Sequence, residues 1–269
     1  MRINRLVCRA IMVAVFVACT SMTSESMAQV YELRTYTTNE GKLDALNARF
    51  RDHTVGLFAK HGIESVGYWV PTDEARSKNT LIYVIRHESP EAAKKSWAAF
   101  GADPEWKKVA QESQVDGRIL AKRPESVYME LTDYSPSLDD QGEPSEGDDA
   151  DSEEAKKDEE EDVFELRIYK AAEGKLGKLD ARFRDHTIGL FERHGITSIA
   201  YWHPTDEPAS EDTLIYIIKH EGPDAAKASW KAFVADPDWK AAAAASGVGR
   251  LAEPPQSTYM KSTDYSAIQ

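Results

Sequence analysis

Tyr31-Glu32-Leu33-Arg34-Thr35-Tyr36 returns as Phe164-Glu165-Leu166-Arg167-Ile168-Tyr169. Ala48-Arg49-Phe50-Arg51-Asp52-His53-Thr54 returns as Ala181-Arg182-Phe183-Arg184-Asp185-His186-Thr187. The offset is 133 residues and holds without a gap through Trp106 and Trp239. Residues 30–134 and 163–265 are therefore one domain written twice. A unit of this length is too long for a solenoid repeat of roughly 20–50 residues and has the size of a small domain. Two copies in one chain read as a covalent homodimer with a pseudo-two-fold interface.

The first quoted stretch alternates and reads as a strand, with Tyr31, Leu33 and Thr35 on one face and Glu32, Arg34 and Tyr36 on the other. The second lies in a helix from about Gly41 to Lys60, with Leu43, Leu46, Phe50, Leu57 and Phe58 on one stripe. Gly62 suits the left-handed position that ends such a helix. Ser65–Val70 and Thr80–His87 read as strands. Ser89-Pro90-Glu91 opens a second helix, Asp103-Pro104 interrupts it, and a last strand covers about Ser126–Leu131. The order β-α-β-β-α-β predicts an α+β, ferredoxin-like unit with both helices on one sheet face. Tyr31 and Leu33 are expected under the helices. The Glu32/Arg34/Tyr36 face is expected to meet its counterpart from the other copy, sheet to sheet.

Outward from the repeats, Arg2, Arg5 and Arg9 precede a short apolar run, Ala10 to Ala18, and Ser26-Met27-Ala28 offers a cleavage site. Residues 1–28 read as a signal peptide, and the protein as exported, periplasmic or secreted. No transmembrane segment is expected in the mature chain. Phe16-Val17-Ala18-Cys19 gives the alternative of a lipid anchor at Cys19. The only cysteines, Cys8 and Cys19, lie in this segment, so the folded part has no disulfide, thiolate nucleophile or cysteine metal site. The net charge of −13 comes almost entirely from residues 135–162, an acidic linker with 14 Asp or Glu. The two domains are close to neutral, which leaves nothing to track nucleic-acid phosphates.

Glu-Leu-Arg-x-Tyr on the first strand, His-Gly-Ile after the first helix and Tyr-Trp-x-Pro on the second strand resemble the NIPSNAP domain of the dimeric α/β-barrel superfamily. Trp97, Phe100, Asp103, Pro104 and Trp106, repeated as Trp230, Phe233, Asp236, Pro237 and Trp239, are the most specific part of the resemblance. It covers about 200 of the 269 residues and implies an intramolecular dimeric α/β barrel. That superfamily spans cofactor-free monooxygenases, haem enzymes and domains with no known chemistry, so the resemblance implies fold more firmly than function.

Polar residues that recur in otherwise apolar elements are the candidates for a site. Arg34 and Arg167 could hold a carboxylate or phosphate beside Tyr36 and Tyr169, or could pair with Glu32 and Glu165 across the interface. His53 and His186 sit at helical spacing beside the apolar stripe, suited to a general base, a haem ligand or a core-edge hydrogen bond. His61 and His194 stand where a cation favours a helix end, and His87 and His220 are expected at the surface or as caps. Tyr68, Trp69 and Tyr83, with Tyr201, Trp202 and Tyr216, read as pocket wall or core. No nucleophile elbow, phosphate loop, dinucleotide glycine pattern or zinc signature is present, so no cofactor or metal is expected. The expected function is binding of a small organic ligand between sheet and helix by Arg34, Tyr36, His53, Tyr83, Arg167, Tyr169, His186 and Tyr216. The alternatives are a cofactor-free or haem-dependent oxidoreductase and a non-catalytic interaction protein. A monomer is expected.

Overall fold

The computed structural model describes residues 29–139 and 161–269. The expected signal segment with Cys19, and most of the expected linker, lie outside the described residues. The first unit runs β1 (Val30–Thr37), α1 (Leu43–Arg49), a π-turn (Phe50–Thr54), α2 (Val55–Lys60), β2 (Glu64–Pro71), β3 (Thr80–His87), α3 (Pro90–Ala102), α4 (Pro104–Glu112) and β4 (Glu125–Leu131). The second repeats it as β5 (Val163–Lys170), α5 (Leu176–Arg182), a π-turn (Phe183–Thr187), α6 (Ile188–Arg193), β6 (Thr197–Pro204), β7 (Thr213–His220), α7 (Pro223–Ala235), α8 (Pro237–Ala245) and β8 (Gln256–Ser262).

The local signals act where the sequence places them. The Ser89 hydroxyl accepts from the Ala92 amide and caps α3. Asp103 stops that helix and caps the next, accepting from the Glu105 amide, with Pro104 at the first helical position. Gly62 ends α2 at φ 70°, where a side chain would be strained.

The eight strands close into one barrel in the order β1-β3-β2-β8-β5-β7-β6-β4. Within each unit the ladders are antiparallel. The two units join edge to edge, β2 to β8 through Trp69↔Ser262 and β4 to β6 through Leu131↔Trp202. Closure leaves no free edge among the described strands. Past β4 and β8 the chain crosses to the other unit. The Thr132 amide donates to the Tyr201 carbonyl and the Thr263 amide to the Tyr68 carbonyl, both at 2.9 Å. Ser135 and Leu138, inside the expected linker, continue this packing: the Ser135 hydroxyl accepts from the Tyr201 amide and Leu138 lies against the barrel core.

The barrel interior is filled by Tyr31, Leu33, Trp69, Ile82, Val84 and Met129 with their counterparts Phe164, Leu166, Trp202, Ile215, Ile217 and Met260. This reverses the expected facing of β1. Tyr31 and Leu33 point into the barrel, whereas Glu32, Arg34 and Tyr36 lie under the helices. An eight-stranded barrel leaves room only for interdigitated side chains, and the apolar alternates fill it with no charged group, though the Trp69 and Trp202 indole N–H groups are buried there without a partner among the described residues. The carboxylate and guanidinium need donors and rings, and the helices supply them. Outside the sheet, Leu46, Phe50, Phe58 and Phe100 cover Tyr36, Tyr68, Tyr83 and Ile85.

Candidate functional site

Glu32 is the hub of the helix-facing layer. It accepts from Arg34 Nη1 at 2.5 Å, from the Ser126 hydroxyl at 2.5 Å and from the Trp97 indole at 2.7 Å. His87 Nε2 stands 3.5 Å away in the first unit, and His220 comes to 3.3 Å of Glu165 in the second. Both histidines are fully buried, not at the surface, because the third strand ends beneath α3 or α7. Burial alone would raise the Glu32 pKa, but His87, Arg34, Ser126 and Trp97 outweigh it and hold the group at about 2. Glu165 is held at about 2 by the equivalent set.

Arg34 is almost fully engaged. Its second Nη reaches the Tyr36 hydroxyl at 3.4 Å, and its guanidinium lies 4.5 Å from the Trp97 ring centre and 5.5 Å from that of Tyr36. Arg167 repeats this, with Tyr169 at 3.0 Å and Trp230 at 4.4 Å. The Glu–Arg pairs close within their own strands, two residues apart, and not between the units. They are on the wrong face to meet. Burial works against the Arg34 charge, yet Tyr83, Tyr36 and Glu32 keep its pKa above the ordinary value.

Tyr83 stands directly opposite Arg34 in the β1–β3 ladder, its ring 5.3 Å from Tyr36 and 5.3 Å from Tyr68. Its hydroxyl is buried and has no partner of good hydrogen-bond geometry among the described residues, and burial drives its pKa well up. Tyr216 repeats the arrangement. Arg34, Tyr36 and Tyr83 are thus brought together, as are Arg167, Tyr169 and Tyr216.

His53 and His186 do not join them; both are exposed. In an uninterrupted α-helix His53 would follow Leu46 and Phe50 on the buried stripe. The π-turn inserts an extra residue, and Thr54 takes the inward position at 1% exposure. Its hydroxyl donates to the Arg49 carbonyl at 3.1 Å, five residues back, and Thr187 does the same to Arg182. His61 and His194 are tied to Asp103 and Asp236 at 2.7 Å, which fixes the end of α2 or α6 to the break between the following helices.

Arg49, the last residue of α1, also faces inward, three residues on from the buried Leu46 and six from Leu43. Sequence reasoning passed over it, although it belongs to the seven-residue stretch that both copies share unchanged. Arg49 is 7% exposed, its guanidinium 5.3 Å from the Trp106 ring centre and its Nη1 3.4 Å from the Ser113 hydroxyl. It has no ion-pair partner among the described residues. Burial lowers its pKa, and the nearby Tyr36 and Tyr83 hydroxyls oppose that. Arg182 lies in the same way against Trp239, Tyr169 and Tyr216. A guanidinium stays protonated in proteins, so each layer holds one permanent charge beyond those its own carboxylate balances.

Arg49 forms part of a groove of about 270 Å³ between α1, the π-turn and α4, with Ala45, Ala48, Val109 and Ser113 along it and Asp52, His53 and Glu112 at the rim. The groove beside His186, between α6 and α8, measures about 570 Å³. Among the described residues no group of three or more His, Cys, Asp or Glu is placed to hold a metal ion, and no helix is long and apolar enough to cross a membrane.

The NIPSNAP family profile matches residues 31–136 and 164–267, both units almost end to end. The chain belongs to the NIPSNAP family. A Fusobacterium nucleatum protein described as a candidate monooxygenase shares the fold with a TM-score of 0.53 at 9% identity, over 88% of this chain and 93% of its own. An anthrone oxidase-like protein does so with a TM-score of 0.51 at 14% identity, over 89% and 93%. A NIPSNAP family protein of unknown function from Agrobacterium tumefaciens is 24% identical over 40% of this chain and 93% of its own, with a TM-score of 0.35. At 9% and 14% identity the first two likenesses speak for fold alone. No curated protein matches the chain in sequence.

Proposed function

We propose that each unit of this NIPSNAP protein, a ferredoxin-like half of the barrel, takes up a small organic molecule between its sheet and its helices. The binding positions are Arg34, Tyr36, Tyr83 and Arg49 in the first unit, and Arg167, Tyr169, Tyr216 and Arg182 in the second. His53 and His186 stand at the mouth. The observation that supports this most is the polar layer itself: buried arginines and tyrosine hydroxyls recur, twice, in a core that Phe and Leu could have closed at lower cost. In the first unit that layer opens onto a groove through Arg49. A thermal-shift screen of the purified chain against organic acids, amides, quinones and haem tests it. At least one class should raise the melting temperature, and Tyr83→Phe with Tyr216→Phe should reduce the gain. If no class raises it, the binding reading falls.

The second reading is an oxidoreductase, supported by the oxidase and monooxygenase descriptions of the structural neighbours. Oxygen uptake lost in the His53→Ala, His186→Ala chain would favour it over binding without turnover. We further propose export, on the basic, apolar and small-residue order of residues 1–28. We also propose a monomer, since both halves of the barrel are already in one chain.

A further inference from the structure

Given the binding site proposed above, we infer that its ligand is a monoanionic organic acid whose acidic group is held by Arg49, and by Arg182 in the second unit. The argument starts from charge. Arg34 is neutralised by Glu32, and the largely buried Arg86 by Glu64 and Asp139. Arg49 is more deeply buried than Arg86, yet among the described residues it meets the Trp106 face, the Ser113 hydroxyl and the nearby Tyr36 and Tyr83, and pairs with no carboxylate. Nε of Arg49 and of Arg182 is buried with no hydrogen-bond partner among the described residues, as is that of Arg34 and Arg167, but Arg34 and Arg167 have a carboxylate and Arg49 and Arg182 have none. A buried charge is retained when a counter-charge meets it, and a guanidinium paired with a carboxylate makes the strongest hydrogen bonds open to it.

The groove sets the rest of the ligand. Ala45, Ala48 and Val109 give an apolar wall, so the body of the acid is hydrocarbon or aromatic. A space of about 270 Å³ sits at the small end of ligand pockets. Asp52 and Glu112 at the rim repel a second negative charge, which selects a monoanion over a dicarboxylate. In the second unit Lys178 stands at the position of Ala45, and Ala245 at that of Glu112. With Ala241 at the position of Lys108, which lies 3.9 Å from Glu112 in the first unit, the exchanges add one unit of positive charge overall, so the second unit binds the same acid more tightly.

Titration calorimetry of the full chain at low salt, with benzoate and its uncharged amide benzamide as probes, decides the point. Benzoate should bind at two sites per chain and benzamide at least tenfold more weakly. Arg49→Gln should remove the weaker site and Arg182→Gln the tighter one, while Arg49→Lys should retain part of the affinity. The comparison of the two probes on the unmodified chain needs no variant to fold. Equal binding of benzamide, or unchanged benzoate binding in the Arg49→Gln, Arg182→Gln chain, would overturn the anion assignment while leaving ligand binding intact. No binding of either probe, with neutral molecules active in the thermal-shift screen, would overturn it in the same way. No binding in either assay would sink both readings.

Discussion

The Tyr265 hydroxyl donates to Asn47 Oδ1 at 2.9 Å, across 218 residues of chain, and Tyr134 mirrors it toward Asp180 at 2.8 Å. Each unit's Thr-Asp-Tyr-Ser tail therefore lies on the other unit, where its tyrosine packs beside Tyr68 or Tyr201. The exchange makes the two aromatic layers interdependent: the covering of each helix-facing core is completed from the opposite end of the sequence.

This exchange predicts unequal costs within one tail. Tyr265→Ala removes a half-buried ring and a hydrogen bond and should cost about 2 kcal/mol in urea unfolding, below the range for a fully buried aromatic. Arg51→Ala cuts a two-bond pair to Asp264, but both side chains are largely in water. It should leave the midpoint unchanged within error. An equal loss from both would mean that the salt link, and not the ring, fastens the tail.

Stability should fall on acidification through a defined window. Glu32 and Glu165 titrate at about 2 in the folded chain, against 4.5 ordinarily. A depressed folded-state pKa contributes stability that is complete above the unfolded value and is lost as pH falls through the folded one. The loss should thus begin near pH 5 and continue to about pH 2, with each carboxylate accounting for roughly 3 kcal/mol at about 1.4 kcal/mol per pH unit. Glu32→Gln should cost about 3 kcal/mol at pH 7, because it leaves Arg34 buried without its counter-charge. It should also flatten the pH dependence, which unfolding curves between pH 3 and 7 would register.

The strands, helix caps and repeat were legible in the sequence because each rests on neighbours within a few residues: alternation along β1, Ser89 before Pro90, Asp103 before Pro104. The facing of β1 was not. Alternation tells which residues share a face, but here both faces are buried. The donors that make Glu32 tolerable under the helices, Trp97 and Ser126, lie 65 and 94 residues away. The π-turn misplaced His53, since a helical stripe read with a constant period puts that residue inward, whereas Arg49 was missed because only apolar residues were read into the stripe that Leu43 and Leu46 carry on to it. The Thr54 hydroxyl bonded to the Arg49 carbonyl marks that turn. Thr54→Val should cost about 1 kcal/mol, a typical hydrogen bond. It should also speed amide exchange in the turn, whereas exchange in β1 stays as it was. Uniform loosening of both would argue that the hydroxyl acts on the whole fold.

The last prediction concerns a difference between the copies. Position 67 is Gly and its counterpart is Ala200. A Cβ built on Gly67 would stand 2.3 Å from the Trp69 ring, which folds back over the strand and packs against Phe164. Trp202, two residues after Ala200, packs in the equivalent way against Tyr31, the counterpart of Phe164, with ring centres 6.0 Å apart. Both indoles are fully buried in the barrel, so Trp69 cannot swing away into solvent. Gly67→Ala should therefore cost about 1–3 kcal/mol, the usual range for overpacking a core. Ala200→Gly should cost about 1 kcal/mol, from a lost methyl and a more flexible unfolded chain. Differential scanning calorimetry of the two variants separates the cases. A stabilised Gly67→Ala chain would show that Trp69 can adopt the packing of Trp202, and that the two halves of the barrel interior are interchangeable.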